Sequence, residues 1–163
     1  MGVIFVCGIH GAGKTTFCAK LSSDLEIPAF SASSLIKEVS DGAISNSSGY
    51  KKVNDVEGNQ ELLIYAISEK LKTYKSLILD GHTSIINSEN EIIPLNVEIF
   101  KKLSLEKIIV INTSPEKVVQ RIMKRDGISI SLENIKMHAL IEIENAKNIS
   151  KYLNIWIEVI ESL

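Results

Sequence analysis

Arginine is nearly missing from this chain, with two residues, Arg121 and Arg125, against sixteen lysines. Cysteine is almost as scarce. Cys7 lies in a predicted strand and Cys18 in a predicted helix, and each reads as a small buried hydrophobe of a reducing compartment. Aromatics make up only 6% of residues, which leaves little to stack against splayed bases. The formal charge is -2 and the pI about 5.9, so the basic excess of a polyanion-binding protein is also lacking, and nucleic acid is a poor candidate partner. No apolar run approaches the roughly 18 residues of a membrane helix. Val3 to Cys7 is too short for a signal peptide and leads directly into glycines. The expectation is a cytoplasmic protein with no membrane segment.

Apolar residues make up 45% of the 163, enough to fill a sheet covered by helices, and the length favours one domain over 1–163. Val3-Ile4-Phe5-Val6-Cys7, Ser76-Leu77-Ile78-Leu79-Asp80 and Lys107-Ile-Ile-Val-Ile-Asn112 are Ile/Val-rich runs without polar alternation, the pattern of strands buried on both faces. Shorter strands are expected over 27–31 and 154–160. Helical spacing runs over 14–25, 57–72 and 97–103. Ser33 is the expected cap of a helix to about Ser40, Ser114-Pro115 opens another, and Ser131 caps a long one whose inward face is Leu132, Ile135, Ala139, Ile143, Ala146, Ile149 and Leu153. The stretch 85–94 reads as a loop, and 41–54, rich in Ser, Asn, Gly and Lys, as a mobile acceptor-side loop. Alternation of strand and helix predicts an α/β fold, a five-stranded parallel sheet with helices on both faces in three layers. Ligands in such folds gather at the carboxyl ends of the strands.

Gly8-Ile9-His10-Gly11-Ala12-Gly13-Lys14-Thr15 follows the first strand and opens a helix. It matches Gly-x-x-x-x-Gly-Lys-Ser/Thr, the P-loop pattern, at every fixed position. Average composition gives such a match at about half a percent over this length. Glycines let the loop curl its N–H groups inward onto phosphate oxygens, and the helix aims its positive end at them. Gly8, Gly11, Ala12 and Gly13 supply the backbone, Lys14 reaches the β- and γ-phosphates, and the Thr15 hydroxyl ligates Mg²⁺. Thr16 stands where it contacts the α-phosphate. His10 reads as a variable, solvent-facing position. The third strand ends on Asp80, where a carboxylate can hold Mg²⁺ beside the γ-phosphate. His82 follows and reads as structural or solvent-facing.

Arg121 and Arg125 are four apart on the helix from Pro115, and so share one face. Their planar forks of donors suit phosphate oxygens in a way lysine cannot copy. They are expected to close over the triphosphate and stabilise charge on the transferring group.

Taken together, Gly8 to Thr16, Leu79-Asp80-Gly81-His82-Thr83 and Ser114-Pro115 through Arg121-x-x-x-Arg125 resemble the small P-loop kinases of the adenylate kinase type, especially their compact archaeal-like and nuclear-like members. The resemblance implies a monophosphate-binding segment after the second strand and a small lid after the arginine helix, here 124–131. It assigns Lys14, Arg121 and Arg125 to the phosphates, and Thr15 with Asp80 to Mg²⁺. Ser33 and Lys37 fall in the acceptor-binding segment, and Gln60 becomes a candidate reader of the acceptor base. Ser33-Ser34 and Lys37 stand where the family commonly has Gly-Asp and Arg. The function so implied is transfer of the γ-phosphate of ATP, with Mg²⁺, to a nucleoside monophosphate or similar small acceptor. The alternative is a P-loop ATPase serving as a switch or assembly factor with a protein partner. A GTPase is disfavoured, because Asn112-Thr113-Ser114-Pro115 lacks the Asn-Lys-x-Asp guanine reader of that family.

Overall fold

The buried apolar runs become the middle of a single parallel sheet. In the computed structural model, which describes residues 2–46 and 56–162, β1 (Gly2–Cys7) is followed by α1 (Lys14–Leu25), β2 (Ala29–Ser31) and α2 (Ala32–Asn46). Then come α3 (Val56–Lys70), β3 (Ser76–Gly81), β4 (Ser84–Ile86), β5 (Ile92–Pro94) and α4 (Val97–Lys101). The chain continues with β6 (Leu105–Thr113), α5 (Pro115–Asp126), α6 (Leu132–Leu153) and β7 (Trp156–Ser162). The five-stranded sheet has the order β2-β3-β1-β6-β7 with every pair parallel, as the sequence predicted.

Alternation along β1 sends Val3, Phe5 and Cys7 to one face and Ile4 and Val6 to the other. The first set packs with Leu77, Leu79, Ile108 and Val110 against Leu35 of α2, Leu63 and Ile67 of α3, and Ala146 and Ile149 of α6. The second packs with Ile78, Ile109 and Ile111 against Cys18 of α1 and Val118 and Ile122 of α5. Both faces are therefore covered, which is why these strands carry no polar alternation. Each fully buried Val, Leu, Ile or Phe contributes roughly 1.5–3 kcal/mol. Both cysteines are buried free thiols.

The larger departures from the sequence reading have local reasons, while other element ends shift by about one to three residues. The stretch 85–94 is a hairpin, with Ile85 opposite Ile93 and Ile86 opposite Ile92. Asn87 Oδ1 accepts from the amides of Glu89 and Glu91, both at 2.9 Å, and Asn90 takes the left-handed conformation at φ 61°, so side-chain chemistry closes a turn that two short Ile pairs do not advertise. The cap of α2 is Ser31, whose hydroxyl accepts from Ser34 N at 3.1 Å, rather than Ser33. That helix continues through 41–46, so the first part of the expected loop is helical; 47–54 lies outside the described residues. Asn154 ends α6 in the left-handed conformation, φ 53°, and β7 begins later, at Trp156. Ser114 and Ser131 cap α5 and α6 as expected.

Candidate active site

Chain order reverses across β1, with β3 on one side and β6 on the other, so a crevice opens at its carboxyl end. The loop after β1 fills the floor of that crevice. Gly11 and Gly13 have φ of 86° and 99°, conformations that favour glycine and that turn the chain back toward α1. Thr113 Oγ1, at the end of β6, donates to Ala12 O at 2.6 Å and pins the loop from beneath. Gly13 is the N-cap of α1, and the first turn carries no acidic residue, so nothing local competes for its free amides.

Above the loop lies a cleft of about 740 Å³, lined by Gly11, Gly13, Lys14, Thr15, Thr16, Ser31, Ser33, Asp80, His82, Arg121 and Arg125, with His10 and Lys124 at its rim. Most of the anticipated residues therefore converge from four elements. Lys14 is buried, and its Nζ donates to Ile9 O at 3.1 Å and to His82 Nε2 at 3.3 Å. Burial pushes the Lys14 ammonium below its ordinary pKa, against the pull of Asp80 and Glu142. Burial, followed by the charge of Lys14, drives His82 down to about 3, so its ring is neutral with the Nε2 lone pair turned to the ammonium. His82 is thus half-buried in the cleft beside Lys14, not solvent-facing.

Thr15 Oγ1 donates to Asp80 Oδ2 at 3.4 Å. Burial raises the pKa of Asp80, while Lys14 and the Thr15 hydroxyl oppose the rise. Arg121 Nη1 donates to Gly11 O at 3.2 Å, bringing the guanidinium onto the phosphate loop itself. Arg125 turns to Asp126 at 3.2 Å and to the ring of His10. His10 is 63% exposed and also meets Asp126 at 3.5 Å, so it links the loop to the end of α5.

Several anticipated positions fall elsewhere. The amide of Gly8 is taken by Glu142 Oε2 at 3.2 Å and is not free for a phosphate. A Cβ on Gly8 would stand 2.6 Å from Ile111 O, so this glycine serves close packing of the loop on β6. Ala12 is buried and its amide bonds Ile9 O at 3.1 Å. Lys37 is exposed on α2 beyond the cleft, and Gln60, on α3, does not line it either.

Sequence reading missed the polar face of α6. His138, Glu142, Asn145 and Ser150 are buried where a purely apolar stripe was expected. Glu142, only 1% exposed, accepts from the amides of Gly8, Thr83 (2.8 Å) and Ser84 (3.0 Å) and from Ser84 Oγ (2.5 Å). Since Ser84 Oγ spends its proton on Glu142, His138 Nε2 at 3.1 Å must be the donor to it, which fixes the histidine tautomer. Spacing held a hint: His138, Glu142 and Asn145 recur at helical intervals between Ile135 and Ile149, so these polar residues share the buried face.

A glycine-curled loop at a strand end, a lysine buried under it and a hydroxyl–carboxylate pair beside it define a P-loop nucleotide-binding fold. The chain belongs to the AAA domain family, whose model matches residues 7–136. No curated protein sequence matches it. Among solved structures it is similar to a gluconokinase from Sinorhizobium meliloti 1021, with 14% identity and TM-score 0.55 over 98% of this chain and 82% of that one. It is also similar to a shikimate kinase from Acinetobacter baumannii, with 18% identity and TM-score 0.55 over 100% and 84% of the two chains. A shikimate kinase from Bacteroides thetaiotaomicron gives 19% identity and TM-score 0.51 over 96% and 84%. At these identities the likeness is one of fold. No helix among the described residues is long and apolar enough to cross a membrane.

Proposed function

We propose that this protein is an ATP–Mg²⁺-dependent phosphotransferase that moves the γ-phosphate to a small acceptor, a nucleoside monophosphate or a molecule of similar size. The observation that carries the reading is the convergence of Lys14, Thr15, Asp80 and Arg121 on one cleft that continues past the phosphate loop to Ser31 and Ser33. A nucleotide-binding switch needs only the first part of that cleft; the extension toward α2 is room for a second substrate. The kinase names of the structural neighbours are consistent with this reading.

In it, the free amides of Gly13 and of the first turn of α1 hold phosphate oxygens. Lys14 exchanges its bonds to Ile9 O and His82 for phosphate, and the low dielectric around it strengthens that contact. Thr15 and Asp80 would hold Mg²⁺, which neutralises charge on the phosphates. Among the described residues no cluster of three or more His, Cys, Asp or Glu could hold a metal, so phosphate and water must supply the remaining ligands. Arg121, resting on Gly11 O, is placed to meet charge that grows on the transferring group. Lys124 and Arg125, in the last turn of α5, open the segment 124–131 that would serve as the short lid. Ser33 faces the acceptor end; Lys37 and Gln60 would need movement of α2 or α3 to reach it. The test is ADP formation from ATP with Mg²⁺ across nucleoside monophosphates, sugars and sugar acids. One acceptor should stimulate turnover in the wild type and not in Lys14→Ala. ATP binding with turnover that no small acceptor stimulates would overturn the proposal, and stimulation by a protein alone would favour the ATPase switch.

A further inference from the structure

The strands β1 and β3 pair in register only as far as Cys7 and Gly81. Beyond that point they fork. One prong is the phosphate loop, starting at Gly8, and the other is the segment 82–84 that leads to β4. Amides at such a fork have lost their ladder partners, and each would be costly to bury unpaired. Glu142, reaching in from α6, supplies the missing acceptors on both prongs: one carboxylate oxygen takes Gly8 N and Thr83 N, the other Ser84 N and Ser84 Oγ. Its own backbone oxygen accepts from Thr83 Oγ1 at 2.7 Å. Burial works against its charge, and these hydrogen bonds, with Lys14, work for it.

The buried Ser84, His138 and Glu142 share the residue types of a hydrolytic triad but not its geometry. The carboxylate bonds the serine instead of orienting the histidine, and Ser84 is 1% exposed and lines no part of the cleft. No chemistry is available to them there.

We infer that Glu142 is a positioning residue of the nucleotide site, its carboxylate holding the fork between β1 and β3 at the width that sets Lys14 and Thr15 against Asp80 and His82. The phosphate loop and His82 lie on the two prongs of this fork. The Lys14–His82 contact spans it at 3.3 Å, and the Thr15–Asp80 contact, at 3.4 Å, ties the start of α1 to the end of β3 just below it, so both distances report its width. Glutamine cannot replace the carboxylate. Its NH₂ would turn a second donor toward a pair of amide or hydroxyl donors, and one prong would swing away. Asn145 makes a control from the same helix: its Nδ2 bonds Thr83 O at 2.7 Å and Leu95 O at 3.0 Å, so its side-chain hydrogen bonds anchor the hairpin side and not the phosphate loop.

The inference rests on the reading of the cleft as an ATP–Mg²⁺ site and extends it to a residue outside the cleft. It is tested by calorimetric titration of ATP, with and without Mg²⁺, into wild type, Glu142→Gln and Asn145→Ala, each well below its Tm. Glu142→Gln should bind ATP–Mg²⁺ about tenfold to a hundredfold more weakly, as removal of an orienting partner behind a site does. The loss should be larger with Mg²⁺ than without, because the ion would be held from both sides, by Thr15 after the phosphate loop and by Asp80 at the end of β3. Asn145→Ala should lower Tm yet bind within about twofold of wild type. Equal binding by Glu142→Gln and wild type overturns the inference, as does an equal loss in Asn145→Ala, which would mean that any loosening of α6 suffices. If Glu142→Gln does not fold, Ser84→Ala decides. A loss of about threefold, the weight of one hydrogen bond, supports the role, and unchanged affinity overturns it. Wild-type protein that binds ATP but phosphorylates no acceptor sinks the kinase reading and leaves Glu142 its role. Absence of any ATP binding sinks both.

Discussion

Replacing Lys14 with methionine should make the protein more stable while removing its affinity for ATP. Lys14 is 7% exposed, and the net of its surroundings lowers its pKa even with Asp80 and Glu142 pulling the other way. A lysine whose folded pKa lies below its unfolded value costs stability at every pH where it is charged in the unfolded chain, which includes neutral pH. Methionine fills a similar volume without the charge. Substituting a buried charge by a packed apolar group is often neutral or stabilising, here by roughly 1 kcal/mol once the bond to Ile9 O is given up. For a chain of this size that raises Tm by about 2–4 °C. Function moves the other way, because losing one pre-placed donor to a transferring phosphate lowers turnover about a hundredfold to a thousandfold. Thermal unfolding without nucleotide reads the first number, an assay of ATP turnover reads the second, and ATP titration checks the loss of affinity. A variant that melts lower than wild type and still binds ATP would refute the reasoning, since Lys14 would then be a structural cation.

Three further substitutions probe separate parts of the site. Gly8→Ala, at φ 150° and with its Cβ 2.6 Å from Ile111 O, should destabilise the fold by roughly 2–4 kcal/mol, read by urea unfolding. Arg121→Lys should leave Tm nearly unchanged but cut turnover at least about tenfold, because a lysine cannot both rest on Gly11 O and present a fork to phosphate. His82, with a folded pKa of about 3, binds its proton far less readily than the unfolded chain, so its contribution is intact above about pH 6.5 and is lost as pH falls from there toward 3. Asp80 and Glu142, with raised pKa values, act in the opposite sense, holding protons in the folded state as the pH falls. Comparing stability against pH for wild type and His82→Gln isolates the histidine: the wild type should lose up to about 1.4 kcal/mol more per pH unit in that window. Identical slopes would place His82 in solvent.

The sheet was legible because its central strands are buried on both faces, and burial writes an unbroken Ile/Val run into Val3–Cys7, Leu77–Leu79 and Ile108–Ile111. The phosphate loop was legible because curling a backbone around phosphate demands glycines at fixed spacing. Arg121 and Arg125 reach the cleft together because helical spacing alone puts them on one face. Gly8 could not be read correctly, since whether its amide is free depends on Glu142, which lies 134 residues along the chain. The acceptor end was least legible. Lys37 and Gln60 came from resemblance, and which way α2 and α3 turn is set by packing on Leu35 and Ile67, not by local pattern. The polar face of α6 was overlooked because a helix stripe is searched for apolar residues, whereas the sheet fork needs acceptors.

Phosphate transfer itself tests the central claim most directly. Protein given ATP labelled at the γ-phosphate, Mg²⁺ and a mixture of nucleoside monophosphates and polyhydroxylated acids should yield label on one small acceptor, with ADP in equal amount and transfer at least about a hundredfold slower in Lys14→Met. Label found only as free phosphate, at a rate that no small acceptor changes, would contradict the account.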